Sequence, residues 1–152
     1  MADTGYDDNR RLTTHRAVGY SEPTVGADYI DMSVPYAAGG LYSAVEDVFL
    51  WDQALYAGKL MSFSLQNEMF TPFVSIPVDR MKVSNVSYGY GWRIGVQFDR
   101  LWIAHGGGID GFATIFDRYP DDKIAIIALS NLESARVGDI ALEIARMVFA
   151  AK

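Results

Sequence analysis

The sequence predicts an α+β domain: an antiparallel β-sheet with a C-terminal helix packed on it. Three observations carry that expectation. Between residues 88 and 129, aromatic and β-branched residues come in short runs separated by glycines or by Pro120-Asp121-Asp122, as strands joined by turns do. The connections are too short for crossovers, so neighbouring strands must run antiparallel. Beyond Asn131, the residues Val137, Ile140, Ala141, Ile144 and Val148 fall on one helical face, and that apolar face needs a sheet to cover it.

Composition sets the outer limits. The chain has 152 residues, one domain's length, and half of them are apolar, enough to build a core. Its net charge is −6 with no basic block, which argues against nucleic acid as a partner, because phosphate binding needs clustered Lys and Arg. No run of about 18 apolar residues is present to form a transmembrane helix, and no charged–apolar–small signal pattern opens the chain. Cysteine is absent, which excludes disulfides, thiol nucleophiles and zinc–thiolate sites while leaving the compartment open.

In chain order, residues 1 to about 36 show no sustained period. A short strand pair is expected near 16–20, inside an extended segment long for a compact domain, which reads as lying across something else. Residues 37–42 form a small-residue turn. Ser43 and Glu46 then make a capping-box pattern, Val45, Val48, Phe49 and Leu55 follow at helical spacing, and Gly58 stands where a helix would stop. A helix is therefore expected over about 44–57. A shorter one is expected over 63–70, ending before Thr71-Pro72, and 72–86 reads as loop. Residues 88–98 read as one strand, 101–105 as a second and 112–119 as a third. A fourth, 123–129, is continuous enough in apolar residues to be buried on both faces. Ser130 and Glu133 repeat the capping-box pattern ahead of the C-terminal helix. The organisation is one partial domain over 1–152, mostly loop and helices over 1–87 and antiparallel strands plus helix over 88–152.

The chemistry concentrates at His105-Gly106-Gly107-Gly108. Consecutive glycines cost backbone entropy and give nothing to pack, so something is expected to approach the backbone closely there. Histidine is the residue type that changes charge near neutral pH. Taken alone, His105 fits a metal ligand, a catalytic base or a satisfied core histidine, and the metal reading lacks a partner at H-x-x-x-H or H-E-x-x-H spacing. Residues 106–111 match G-x-G-x-x-G, but the dinucleotide fingerprint needs a helix opening at its third glycine, and Phe112-Ala-Thr-Ile-Phe116 reads as strand. No nucleotide, metal or other cofactor is expected. His15, in Thr13-Thr14-His15-Arg16, reads as a solvated loop residue, and the pairs Asp7-Asp8 and Asp121-Asp122 as solvated turn carboxylates. The aromatics of 88–92 read as core and cleft wall. The serine-nucleophile patterns Gly-x-Ser-x-Gly and Ser-x-x-Lys do not occur, nor does Tyr-x-Asn.

Taken together and in order, these stretches resemble the C-terminal half of the serine β-lactamase and penicillin-binding-protein-like hydrolases, in particular the class C β-lactamase, D-alanyl-D-alanine carboxypeptidase and related esterase group. Met1-Ala-Asp-Thr-Gly-Tyr6 resembles that family's GM-x-DTG turn. Ala37-Ala-Gly-Gly-Leu-Tyr-Ser-Ala-Val-Glu-Asp-Val48, through Gly58-Lys-Leu60, resembles its AGGL-x-ST-x-x-DL helix and GKLLS segment, and Tyr88-Gly-Tyr-Gly-Trp92 its YGYGW. His105-Gly106-Gly107 stands where the family has Lys-Thr-Gly or His-x-Gly, and residues 112–131 resemble its last two strands, closing in LSN.

The resemblance implies a β-lactamase/transpeptidase-like fold and acyl transfer by a serine nucleophile on a small-molecule acyl substrate. It places the triplet on an edge strand walling the active site. His105 would face the nucleophile and the substrate carboxylate, supplying less constantly the charge a lysine fixes. Gly106 and Gly107 would bind substrate, Gly107 letting a planar acyl group lie against the strand, and the Gly108 backbone N–H would be one of two oxyanion donors. A histidine in place of lysine leans toward the carboxypeptidase and esterase branches. The family's nucleophile and its Tyr-x-Asn lie in an N-terminal half not found in this sequence, so the chain is expected to be a fragment, inactive alone. Its partner would be the missing half or a second copy, with a homo-oligomer expected because a sheet cut from its neighbours exposes unpaired edges. The alternatives are a non-catalytic binding or assembly module and an unrelated small α+β domain. Relatives of this kind are often periplasmic, secreted or membrane-anchored, and the sequence leaves localisation open.

Overall fold

A computed structural model describes residues 1–77 and 83–150. In order the elements are β1 (Gly5–Tyr6), β2 (Tyr20–Glu22), β3 (Val25–Gly26), α1 (Tyr36–Gly39), β4 (Leu41–Tyr42), α2 (Val45–Tyr56), α3 (Phe63–Met69), β5 (Val74–Ser75), β6 (Ser84–Tyr88), β7 (Arg93–Gln97), β8 (Arg100–Ile109), β9 (Phe112–Tyr119), β10 (Ile124–Ser130) and α4 (Val137–Ala150), with a 3-10 turn at Pro120–Asp122. The main sheet is six-stranded in the order β10-β9-β8-β7-β6-β5, and all its pairings are antiparallel. The α+β class and the packed C-terminal helix are thus observed.

Helices cover both faces. On one, α4 sets Val137, Ala141 and Ala145 against Trp102, Ala104, Ala113, Ile115, Tyr119 and Ile126, the small alanines letting the helix come close to the strands. On the other, Ile94, Ile103 and Trp92 pack with Trp51 of α2 and with Met69 and Phe70 at the end of α3. Trp51 stacks on Trp92 at 5.8 Å between ring centroids and 13° between planes. The second face also buries an ion pair: Arg118 Nε reaches Asp52 Oδ1 at 2.5 Å, the side chains 2% and 1% exposed. Removing one member of such a pair strands a charge and costs about 3–5 kcal/mol, so α2 is fixed to β9 by charge as well as by aromatic packing.

Several boundaries differ from the sequence reading. The strand expected over 88–98 is two strands, because Gly89 and Gly91 make a turn between β6 and β7; Gly91 has φ +76°, a conformation natural to glycine. The loop expected over 72–86 contains β5 and the start of β6, its residues 78–82 lying outside the described ones. The strand expected to end at His105 continues through the three glycines to Ile109, and the chain turns at Gly111, φ +87°. Neither capping box forms. Ser43 Oγ pairs with Thr4 Oγ1 at 2.8 Å, and α2 begins without a side-chain cap. Ser130 ends β10, Glu133 Oε2 accepts from the Gly111 N–H, and α4 starts at Val137. The cap that does form is Ser62, whose Oγ accepts from the Leu65 N–H of α3.

The N-terminal segment does lie across another part of the molecule. The Tyr20 N–H donates to Asn131 O and the Glu133 N–H to Tyr20 O, which pins the segment to the end of β10. A Cβ on Gly19 would lie 3.0 Å from the Gly111 Cα and one on Gly111 2.7 Å from the Gly19 Cα, so the two backbones touch where neither residue carries a side chain. Its strand pair, β2 with β3, comes a few residues later than expected. Asp7 is buried rather than solvated, bonded by Arg16.

Candidate active site

The site grows out of β8. Over Arg100–Ala104 this strand pairs with β7, Ala104 through Arg100 lying opposite Arg93 through Gln97, and at Ile103 and Ala104 it pairs with β9 as well. From His105 on, among the described residues, it pairs with β9 alone, His105 opposite Phe116, Gly107 opposite Thr114 and Gly108 opposite Ala113. The polar groups of its outer edge are therefore free for a partner, since β7 has already turned away at Trp92. The strand is an edge strand only over this second half; the expectation of an edge strand holds for the triplet and not for β8 as a whole.

Side chains thin out along the same stretch. His105, Gly107 and Gly108 are exposed and Gly106 is half-buried. A Cβ on Gly107 would lie 2.7 Å from Thr114 Oγ1, whereas one on Gly108 would meet nothing within 4 Å. The result is a strip of bare extended backbone beside one imidazole. Such a strip can accept an extended or planar ligand by main-chain hydrogen bonding, as an added strand would.

His105 is held from one side. Its Nε2 lies 2.9 Å from the Tyr88 hydroxyl in a hydrogen bond whose direction follows the imidazole tautomer, and the two rings meet edge to face with centroids 6.0 Å apart. Tyr88 ends β6, one strand beyond β7, and reaches His105 where β7 no longer intervenes. Sequence reasoning missed this partner: residues 17 apart with no common period give no signal, and Tyr88 stood out only as one of a run of aromatics. Behind the histidine, Phe116 packs edge-on against Trp51 and Trp92, giving the strand a rigid backing. Of the other aromatics in that run, Trp92 is core and Tyr90 is exposed against Phe73. His15 sits on an exposed loop far from this cluster in sequence. Among the described residues, no three His, Cys, Asp or Glu side chains converge as metal donors.

Comparison with known proteins extends the geometry. Residues 1–148 match the family model described as Beta-lactamase. Penicillin-binding protein 4* of Bacillus subtilis (strain 168) is 32% identical over 143 residues, a match covering 82% of this chain and 30% of that protein. Among solved structures, the octameric penicillin-binding protein homologue from Pyrococcus abyssi superposes with a TM-score of 0.79 at 22% identity, covering 99% of this chain and 34% of that one. The D-amino acid amidase from Ochrobactrum anthropi SV3 superposes with a TM-score of 0.76 at 20% identity, covering 99% and 49%. The structural likenesses show a shared fold, and the chain spans about a third of the length of the curated relatives it matches.

Proposed function

Because the chain belongs to the β-lactamase family, we propose that it is the C-terminal portion of a serine hydrolase acting by acyl transfer on β-lactam, D-Ala-D-Ala peptide or ester substrates. In this reading His105 and the glycines after it form the substrate-facing wall of the active site. The observation that carries it is the second half of β8: one exposed histidine followed by glycine backbone with an unpartnered edge. His105, oriented by Tyr88, faces the substrate carboxylate. Gly106 and Gly107 let the acyl group lie flat on the strand, and the Gly108 N–H donates to the oxyanion as the tetrahedral intermediate forms. One such donor contributes about 3–4 kcal/mol to the transition state.

The serine, the group that activates it and the second oxyanion donor come from outside these 152 residues, since Ser-x-x-Lys and Tyr-x-Asn do not occur in them. The chain alone is accordingly inactive, because binding and one donor leave only residual catalysis. The test is kinetic, on an enzyme in which this chain is joined to a Ser-x-x-Lys-bearing N-terminal segment. His105→Ala should lower kcat/KM about 10²-fold without lowering Tm, His105 being exposed, and His105→Lys should keep most of the rate. Unchanged kinetics in His105→Ala would remove the histidine from the site.

We also propose that the chain self-associates. Among the described residues, β10 pairs with β9 alone, leaving an apolar seven-residue strand with one open edge, a template for another strand. The octameric state of the Pyrococcus abyssi homologue is consistent with assembly in this fold. Sedimentation should give an oligomer, and a stable monomer at micromolar concentration would count against it.

A further inference from the structure

Directly behind the histidine strip, on the opposite face of the sheet, lies a polar crevice that the proposed reaction does not use. Asp117 of β9 stands opposite Ala104, in the layer that α4 covers, while its neighbour Phe116 stands opposite His105. Asp117 is 5% exposed and Trp102 2%. Asp117 Oδ1 and Trp102 Nε1 are both buried without a hydrogen-bond partner. Both line a crevice of about 170 Å3, together with Gln97, Ile115 and, on α4, Gly138, Asp139 and Leu142. A water takes about 30 Å3, so a small organic molecule fits.

The chemistry of the two unpaired atoms selects the ligand. One is a carboxylate acceptor and the other an indole donor, and leaving either unmade is costly in a buried place. An anion would be repelled by Asp117. A bare metal cation would satisfy the carboxylate and leave the indole N–H facing a positive charge. A neutral amide would satisfy both and leave the carboxylate charge only partly compensated, by Arg93. Burial pushes the Asp117 carboxyl up to about 6, with the Trp102 indole and the Arg93 guanidinium drawing it back only in part, so above that pH a buried negative charge is only partly compensated. The other charged or titratable groups near it are already committed: Tyr119 donates to Gln97 Oε1 and Asp139 pairs with Arg136.

We propose that this crevice binds a small organic ammonium compound carrying a hydroxyl or carbonyl oxygen beside its nitrogen, with Asp117 taking the ammonium and the Trp102 indole N–H donating to the oxygen. The site is independent of the acyl-transfer reading and stands or falls without it.

The test follows the indole N–H of Trp102 by 1H–15N correlation spectroscopy on the 152-residue chain, assigned with Trp102→Phe, during titration with 2-aminoethanol at pH 7.5. The Trp102 signal should shift saturably while those of Trp51 and Trp92 stay in place. The neutral isostere ethane-1,2-diol should leave it unmoved. Affinity should fall about tenfold between pH 7.5 and pH 5, following ionisation of a carboxyl of pKa about 6. Asp117→Asn should lose at least as much, and the diol and pH comparisons need no variant that might misfold. No saturable shift, equal binding of the diol, or pH-independent binding would overturn the proposal and leave a crevice that holds solvent alone.

Discussion

From Arg100 to Ala104, β8 is paired along β7, with β9 joining on its other side at Ile103 and Ala104, and Trp102, Ile103 and Ala104 are buried to 2% exposure or less. From His105 to Ile109 the same strand is held on one side, exposes its histidine and carries three residues with nothing beyond Cα. The first half has the large apolar side chains that a sheet interior needs; the second has what a surface needs when a ligand must reach backbone. Removing neighbours and side chains from one end of a well-anchored strand leaves an open backbone edge whose geometry the anchored end keeps.

That contrast can be broken from its buried end. Trp102→Ala should destabilise by about 3–5 kcal/mol, as large aromatic truncations in cores do. Asp52→Ala should cost a similar amount, about 3–5 kcal/mol, by stranding Arg118 under α2; denaturant unfolding measures both. If either is near neutral, the anchored half is not anchored as described.

A smaller effect depends on pH. Asp117 has a folded-state pKa of about 6 against 3.8 for the free group. Between those values the folded chain holds a proton that the unfolded chain has released, so stability is full below pH 4 and is lost as pH rises through 6. The loss is at most about 3 kcal/mol. Asp117→Asn should flatten that slope in melts taken from pH 4 to pH 7.

The open half should respond differently to each glycine. Gly107→Ala drives a methyl against Thr114 Oγ1 and should cost about 1–3 kcal/mol, recovered in part with Thr114→Ala in a double-mutant cycle. Gly108→Ala has free space and should be neutral or stabilising by about 0.4–1 kcal/mol. Equal costs at the two positions would show that the strip is not shaped as described.

Much of this architecture was legible because it is periodic. The apolar stripe of α4, the alternation of β9 and the run of β10 each repeat locally, and so do the positions that seat α2. What was missed depends on contacts between distant residues. Ser43 and Ser130 satisfy the helix-start pattern, yet their hydroxyls are taken by Thr4 and by the turn before α4. By local pattern the strand ends at His105, because glycines give a strand nothing to pack, and β9 holds them extended instead. At the site, histidine plus glycines stood out by composition alone. The Tyr88 hydroxyl, the missing β7 neighbour and the unpaired Asp117 exist only once separate strands are brought side by side.

The most direct test of the central claim, that β8 supplies a substrate wall to a nucleophile located elsewhere, is intact-mass spectrometry of the purified chain after incubation with a penicillin and with a fluorophosphonate. The expected result is an unmodified mass with both reagents. A stoichiometric adduct on any serine of this chain would place a working nucleophile inside it and contradict the account.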